Sequence, residues 1–280
     1  MDCTIFFLRP WVHNIFKIMQ FYTGILLFVF SFLFGFQQEK VTTVYLIGDS
    51  TMADYSNNYD EGKDYMKTRY PIAGWGQVFQ PVINQKNLAE ICHIIKTDSV
   101  FVKNRARGGR STRTFFEEGR WSSIYNTLKK GDLVLMQFGH NDASESKPER
   151  YVTVEGFKEY IRLFVNQTRE KGGIPVVITP VNRNYPWKDG KLGNVHGEYY
   201  TAALEVAKEM NAHFIDLTQR SMDHFTEKGE DYVTKNYFMN FGPGLYEAYP
   251  EGSNDNTHFQ QEGAKAVAEL VFEGLKDLKY

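Results

Sequence analysis

Cysteine is nearly missing from this chain, which holds two in 280 residues, Cys3 and Cys92. Cys3 lies in or before an apolar leader, so a processed chain keeps one thiol. Neither an internal disulfide nor a cysteine-built metal site is then open to it. Cys92 stands among apolar residues in LAEICHII and is expected to be a buried, inert thiol. An excess of one charge is missing too. With 32 basic and 34 acidic residues the net charge is −2, which gives no electrostatic basis for binding nucleic acid. No histidine pair has a metal-ligand spacing such as HExxH, so a metal site built on His140 and His196 is not expected, and no cofactor is called for. Repeats, low-complexity linkers and charge blocks are absent as well, so residues 37–280 are expected to form one domain. Without covalent staples that domain must rest on its core, and a 42% hydrophobic composition is enough to supply one.

Long hydrophobic runs are missing with one exception. Residues 21–36, FYTGILLFVFSFLFGF, carry no charge and follow Lys17. The run falls short of the ~20 residues a comfortable transmembrane helix needs and suits the core of an export signal. Residues 1–36 therefore read as an export signal, with a retained membrane anchor as the alternative. No A-x-A pattern fixes a cleavage point, and Met19 could equally serve as the start. Either way the expected destination is outside the cytoplasm: secreted, periplasmic or cell-surface.

Beyond the leader, short apolar runs alternate with helix-patterned stretches. VTTVYLI (41–47), SVFVKN (99–104), DLVLMQFG (132–139), GIPVVITP (173–180) and HFIDL (213–217) read as strands. Helices are expected over 75–84, 122–130, 154–172, 197–211 and 260–278. In the third of these, Phe157, Ile161, Phe164 and Val165 recur at helical spacing and Gly172–Gly173 supply a stop. Strand–helix alternation argues for βαβ units, a parallel sheet and helices on both faces. Active sites in such sheets gather at the carboxyl ends of the strands.

Those ends carry the chemistry. GDSTM (48–52) follows the first strand and offers Ser50, but a hydroxyl needs a base to become a nucleophile. NDNTHF (254–259) precedes the last helix. There Asp255 and His258 are spaced so that a loop or turn can set carboxylate against imidazole and leave the other ring nitrogen facing the serine. RGGRS (107–111) allows a close backbone approach with an exposed N–H, and GHND (139–142) offers the Asn141 amide. Each block alone also reads as an ordinary turn or helix cap. Four of them, each at the end of an expected element, are less easily explained that way.

In this order the blocks resemble those of the SGNH (GDSL-like) hydrolases, over roughly residues 44–275. The resemblance implies a flavodoxin-like three-layer α/β/α sandwich with a central parallel sheet, and ester hydrolysis without a cofactor. It implies Ser50 as nucleophile, His258 as base, Asp255 as its orienter, and Ser50, Gly109 and Asn141 as oxyanion donors, with Gly108 as the one-residue alternative to Gly109. The segments NRARGGRSTRTF (104–115), QFGHND (137–142), TPVNR (179–183), GKLGNVHGEY (190–199) and YPEGSNDNTHF (249–259) are most similar to the rhamnogalacturonan acetylesterase group. This implies removal of acetyl groups from a plant cell-wall polysaccharide, rhamnogalacturonan or pectin.

Substrate contacts are expected from Arg107 and Arg110, which with Arg113 form a basic cluster suited to uronic-acid carboxylates. His196 and the aromatic Trp187 are further candidates, with Tyr185 beside it, while Trp75 is expected to pack near the first helix. Two other functions stay open on the sequence: an SGNH lipase or thioesterase acting on longer acyl chains, and a non-catalytic carbohydrate-binding protein. The first needs a long apolar acyl site and the second a broken triad. The sequence offers no obvious apolar lid, and every expected catalytic residue type is present.

Overall fold

A computed structural model of the chain describes residues 39–278 other than Asn58 and Gln85. The leader 1–36, with its apolar run and both candidate starts, lies outside the described residues. Within them, five strands form one parallel sheet: β1 (Val41–Gly48), β2 (Ser99–Asn104), β3 (Leu133–Gln137), β4 (Ile174–Ile178) and, later in the chain, the short strand His213–Ile215. Between β4 and that last strand sits a two-stranded hairpin, β5 (Trp187–Lys188) and β6 (Lys191–Leu192), which makes His213–Ile215 β7. The sheet order is β2-β1-β3-β4-β7. This is the flavodoxin-like arrangement, in which the chain order reverses between β1 and β3 and a crevice opens at their carboxyl ends.

The layers follow from the period of two along each strand. In β1, Val44 and Leu46 face one side, and Tyr45 and Ile47 the other. The second side packs against α1 (Thr112–Glu117), α2 (Arg120–Tyr125), α3 (Val154–Glu170) and α4 (Gly197–Glu209), whose buried residues include Phe115, Trp121, Phe157, Phe164 and Ala203. The first side packs against α5 (Leu217–Lys228) and α6 (Gln261–Lys276) through Phe225, Val267 and Val271, with Trp75 and Phe79 beside them. Outside the main sheet, β8 (Phe238–Phe241) and β9 (Ser253–Phe259) form an antiparallel ribbon.

Several expectations change in detail. The stretch 75–84 is not one helix but a 3-10 turn, Trp75–Gln77, and a short helix, Phe79–Val82. Helix α5 and both ribbons were not expected. Cys92 is exposed rather than buried, because Ile91, Ile94 and Ile95 take the inward positions of that turn. No helix among the described residues is long and apolar enough to cross a membrane.

Candidate active site

Strand β1 ends at Gly48, which has no room for a side chain: a Cβ there would stand 2.5 Å from the carbonyl oxygen of Gln137 on β3. The backbone then turns sharply. The buried Asp49 carboxylate accepts the Thr51 amide and hydroxyl, each at 2.9 Å, in a local turn that carries Ser50 past the sheet edge. Thr51 accepts in turn from Gln137 at 2.6 Å, and Gln137 accepts the indole N–H of the fully buried Trp75 at 2.8 Å. Tyr55 donates to the Ser50 carbonyl at 3.0 Å. Ser50 is therefore held from below by a buried, hydrogen-bonded polar chain, the kind of network that fixes a unique geometry. The segment that follows is irregular until Tyr65, so Ser50 stands on a strand-to-loop turn.

The donors expected for an oxyanion sit across the crevice. The Gly108 N–H is already engaged, donating to the Tyr59 hydroxyl at 3.1 Å. Gly109, at φ +79°, has a backbone N–H with no acceptor among the described residues, and so has Ser50. That distinction favours Gly109 over Gly108 as the available donor. Asn141 uses one amide hydrogen to bond the Arg110 carbonyl at 2.9 Å, which ties the loop after β3 to the loop after β2 and leaves the second hydrogen free. Tyr59 thus positions the Gly108–Gly109 loop. Replacing it with phenylalanine keeps the ring on which Arg107 stacks at 3.7 Å and removes only the acceptor. We expect Tyr59→Phe to lower kcat about 3–10-fold with KM little changed, as steady-state kinetics on an acetyl ester will read.

His258 and Asp255 come from β9, and an irregular register aims them. Phe238 pairs with Phe259 while its neighbour Met239 pairs with Asp255, so residues 256–258 bulge out of the ladder. The bulge is pinned from the loop after β4. Asn184 donates its backbone N–H to the Asn256 carbonyl and its side-chain amide to Asn256 Oδ1, both at 2.9 Å, and Asn240 reaches the same Oδ1 at 2.9 Å. Within the bulge, Asp255 Oδ2 lies 2.6 Å from His258 Nδ1, while Oδ1 accepts the N–H groups of Thr257 at 2.7 Å and His258 at 3.1 Å. Burial works against the charged carboxylate. The His258 ring and those two N–H groups outweigh it and hold Asp255 below the usual carboxylate range. Ser50, Gly109, Asn141, Asp255 and His258 all line one cleft of about 610 Å³.

Unusual ionisation surrounds the cleft floor. Burial raises Asp49 to about 6 against the pull of its Thr51 hydrogen bonds, and raises Asp142 to about 7 although Thr112 donates to it twice. Burial likewise pushes His140 well below its ordinary value and His196 down to about 4, so both are neutral imidazoles near pH 7. Asp49 Oδ2, His140 Nε2 and Arg150 Nε are buried without hydrogen-bond partners, three such atoms around one crevice. Orphaned buried polar atoms are rare in folded proteins and tend to mark function. Among the described residues, no cluster of three or more His, Cys, Asp or Glu side chains is arranged to hold a metal ion.

The four side chains expected to touch substrate do not line the cleft. Arg107 lies on the Tyr59 ring and donates to the Tyr59 carbonyl at 2.7 Å. Arg110 pairs with Glu118 at 3.0 Å. His196 is buried behind His140, ring centroids 4.6 Å apart, and bonds the Val181 carbonyl at 2.9 Å. Trp187 donates to Asn184 Oδ1 at 3.0 Å, supporting the residue that pins the histidine bulge. Each is drawn away by a nearer protein partner. The cations that do line the cleft are Arg69, Lys147, Arg150 and Arg183, and sequence reasoning singled out none of them. Arg183 closes the TPVNR segment, which was noted, so only its placement was missing.

Residues 44–271 match the family model described as GDSL-like Lipase/Acylhydrolase. A probable rhamnogalacturonan acetylesterase of Bacillus subtilis (strain 168) is 38% identical over 84% of this chain and 93% of its own length. A second protein of that strain, a rhamnogalacturonan acetylesterase, is 36% identical over 86% and 92% respectively. The crystal structure of protein YxiM from Bacillus subtilis superposes with a TM-score of 0.64 at 27% identity, over 86% of this chain but only 57% of that one. The chain thus spans little more than half of that structure. The chain belongs to the GDSL-like lipase/acylhydrolase family.

Proposed function

We propose that this carboxylic ester hydrolase removes O-acetyl groups from an acetylated plant cell-wall polysaccharide, rhamnogalacturonan, through an acetyl-enzyme intermediate on Ser50. The observation that carries the reading is the shared cleft. One side holds a serine on a rigid turn. A histidine whose Nδ1 is fixed by a carboxylate stands in the same cleft, and two N–H groups and an amide hydrogen are left without acceptors. His258 Nε2 takes the Ser50 proton as Oγ attacks the acetyl carbonyl, and Asp255 stabilises the imidazolium. The developing oxyanion is met by Ser50 N–H, Gly109 N–H and the Asn141 amide, each worth ~10²–10³ in rate in sites of this kind. His258 then protonates the departing sugar hydroxyl, and water releases acetate by the same route. Neither Ser50 Oγ nor His258 Nε2 is hydrogen-bonded to another described residue, and such contacts commonly tighten only on substrate binding.

The lining argues for a sugar over a long acyl chain. Tyrosines, arginines, a lysine and Asn141 surround Ser50, and Ile72 is the one aliphatic residue among them. A fatty acyl tail would have little apolar surface to bury against. The two relatives named for rhamnogalacturonan support the polymer, and the apolar run 21–36 fits the export that meeting such a polymer requires. Acetate release by the purified protein tests the reading. Acetylated rhamnogalacturonan is expected to be deacetylated well ahead of acetylated xylan and of long-chain p-nitrophenyl esters. Preference for the long-chain esters would keep the chemistry and discard the carbohydrate.

A further inference from the structure

The chain as a whole is mildly acidic, yet its catalytic cleft is not. Four cationic side chains line it, and its one lining carboxylate, Asp255, is committed to His258. Three of those cations differ sharply in what already occupies them. Arg69 forms a two-pronged pair with Asp60, at 2.7 and 3.2 Å. Arg183 spends its guanidinium on the Tyr185 hydroxyl at 2.7 Å and on His140, through Nδ1 at 3.4 Å and the carbonyl at 3.3 Å. The Arg150 guanidinium has no hydrogen-bond or ion-pair partner among the described residues, although its Nε is buried and thus cut off from water. A guanidinium with a desolvated, unpaired N–H is costly in a folded protein unless a ligand pairs it.

Its position says what that ligand is near. A methyl group built on Gly109 would stand 3.6 Å from Arg150 Nη1, so the guanidinium sits beside one of the oxyanion donors. The fourth cation, Lys147, lies one turn earlier in the same segment, where its carbonyl accepts the Arg150 N–H at 3.0 Å, and its ammonium also has no acidic partner. Glu145 and Glu149 flank these residues but are exposed and do not line the cleft. A planar guanidinium presenting paired N–H donors is the side chain best matched to a carboxylate.

We propose that Arg150, assisted by Lys147, forms a cationic, anion-binding subsite next to Gly109 that binds a uronate carboxylate of the sugar chain and so selects acidic over neutral acetylated polysaccharides. The inference rests on the function proposed above and assigns its selectivity to particular atoms. Arg107 and Arg110, in the basic RGGRS segment, take no part because tyrosine and glutamate already hold them.

The test compares kcat/KM on acetylated pectic oligosaccharides with that on the same material after its carboxyls are reduced to alcohols. Wild type is expected to prefer the acidic form. In Arg150→Gln that preference should fall about tenfold or more, chiefly through KM, with partial recovery in Arg150→Lys. An equal loss on both forms, or no loss, overturns the subsite. A second arm needs no acetylated polymer: competitive inhibition of p-nitrophenyl acetate hydrolysis by deacetylated oligogalacturonides and by neutral xylo-oligosaccharides of equal length. Tighter inhibition by the acidic oligomers, weakening with added salt, supports the subsite even where Arg150→Gln does not fold. Equal inhibition overturns it. Selective inhibition together with no acetate release from pectic polymers would retain the subsite and defeat the proposed polymer substrate.

Discussion

Ser50→Ala is expected to reduce acetyl-ester hydrolysis by about 10⁴–10⁶-fold, to the level left by binding and oxyanion contacts alone. The size follows from the mechanism: without Oγ there is no covalent intermediate, and His258 has no proton to take. The cost to the fold should be small. Ser50 Oγ accepts and donates no hydrogen bond among the described residues, so its removal orphans nothing. The turn is held instead by Asp49, Thr51, Gln137 and Tyr55, all untouched. Release of p-nitrophenol from the acetate ester, set beside a thermal melt, separates the two quantities. Hydrolysis within tenfold of wild type in a protein of unchanged melting temperature would remove Ser50 from the mechanism.

Asp255→Asn should cost about 10³–10⁴ in kcat, for a reason visible in the three donors that surround it. Both carboxylate oxygens face hydrogen-bond donors: two backbone N–H groups on Oδ1 and the His258 Nδ1–H on Oδ2. An asparagine has one acceptor and one donor end and cannot serve both. Kept on the backbone amides, its oxygen leaves an NH₂ facing Nδ1. This forces the imidazole into the tautomer whose Nε2 carries the proton and cannot accept one from Ser50. Turned over, the NH₂ collides with two N–H groups and the bulge loses its brace. Steady-state kinetics and the imidazole proton resonances of the variant distinguish the outcomes. A kcat within a few-fold of wild type would mean that His258 is oriented by something other than this carboxylate.

Much of this site was legible before any coordinates. Strands β1, β3 and β4 are short and apolar, which a buried parallel strand requires, and β1, β2 and β3 are each followed by a block bearing a candidate functional group. The setting of Asp255 and His258 was less accessible. SNDNTHF carries no hydrophobic alternation, so nothing local marks it as a strand, and the bulge that aims His258 depends on Asn184 and Asn240, far away in sequence. Helix α5 hid for a related reason: its inward stripe includes Thr218 and Ser221, whose hydroxyls bond to backbone and so pass for surface residues. The basic cluster misled because sequence shows charge but not occupancy. Arg107 and Arg110 are neutralised or stacked locally, while Arg150, in a loop with no motif, is the one left open.

The placement of the reacting groups along the chain has a consequence for when activity can begin. Ser50 stands just past the first strand, and the bulge bearing Asp255 and His258 is built only after β8, beside the final helix. The other four strands of the main sheet, β2, β3, β4 and β7, are synthesised between them. A growing polypeptide on the ribosome cannot brace its serine turn before Gln137 of β3 is made, and on the proposed roles it remains inert until β9 emerges and pairs with β8. A protease that clips the chain beyond β8 would silence it in the same way. On the proposed roles, activity therefore waits on the pairing of β8 with β9, which brings Asp255 and His258 to the cleft.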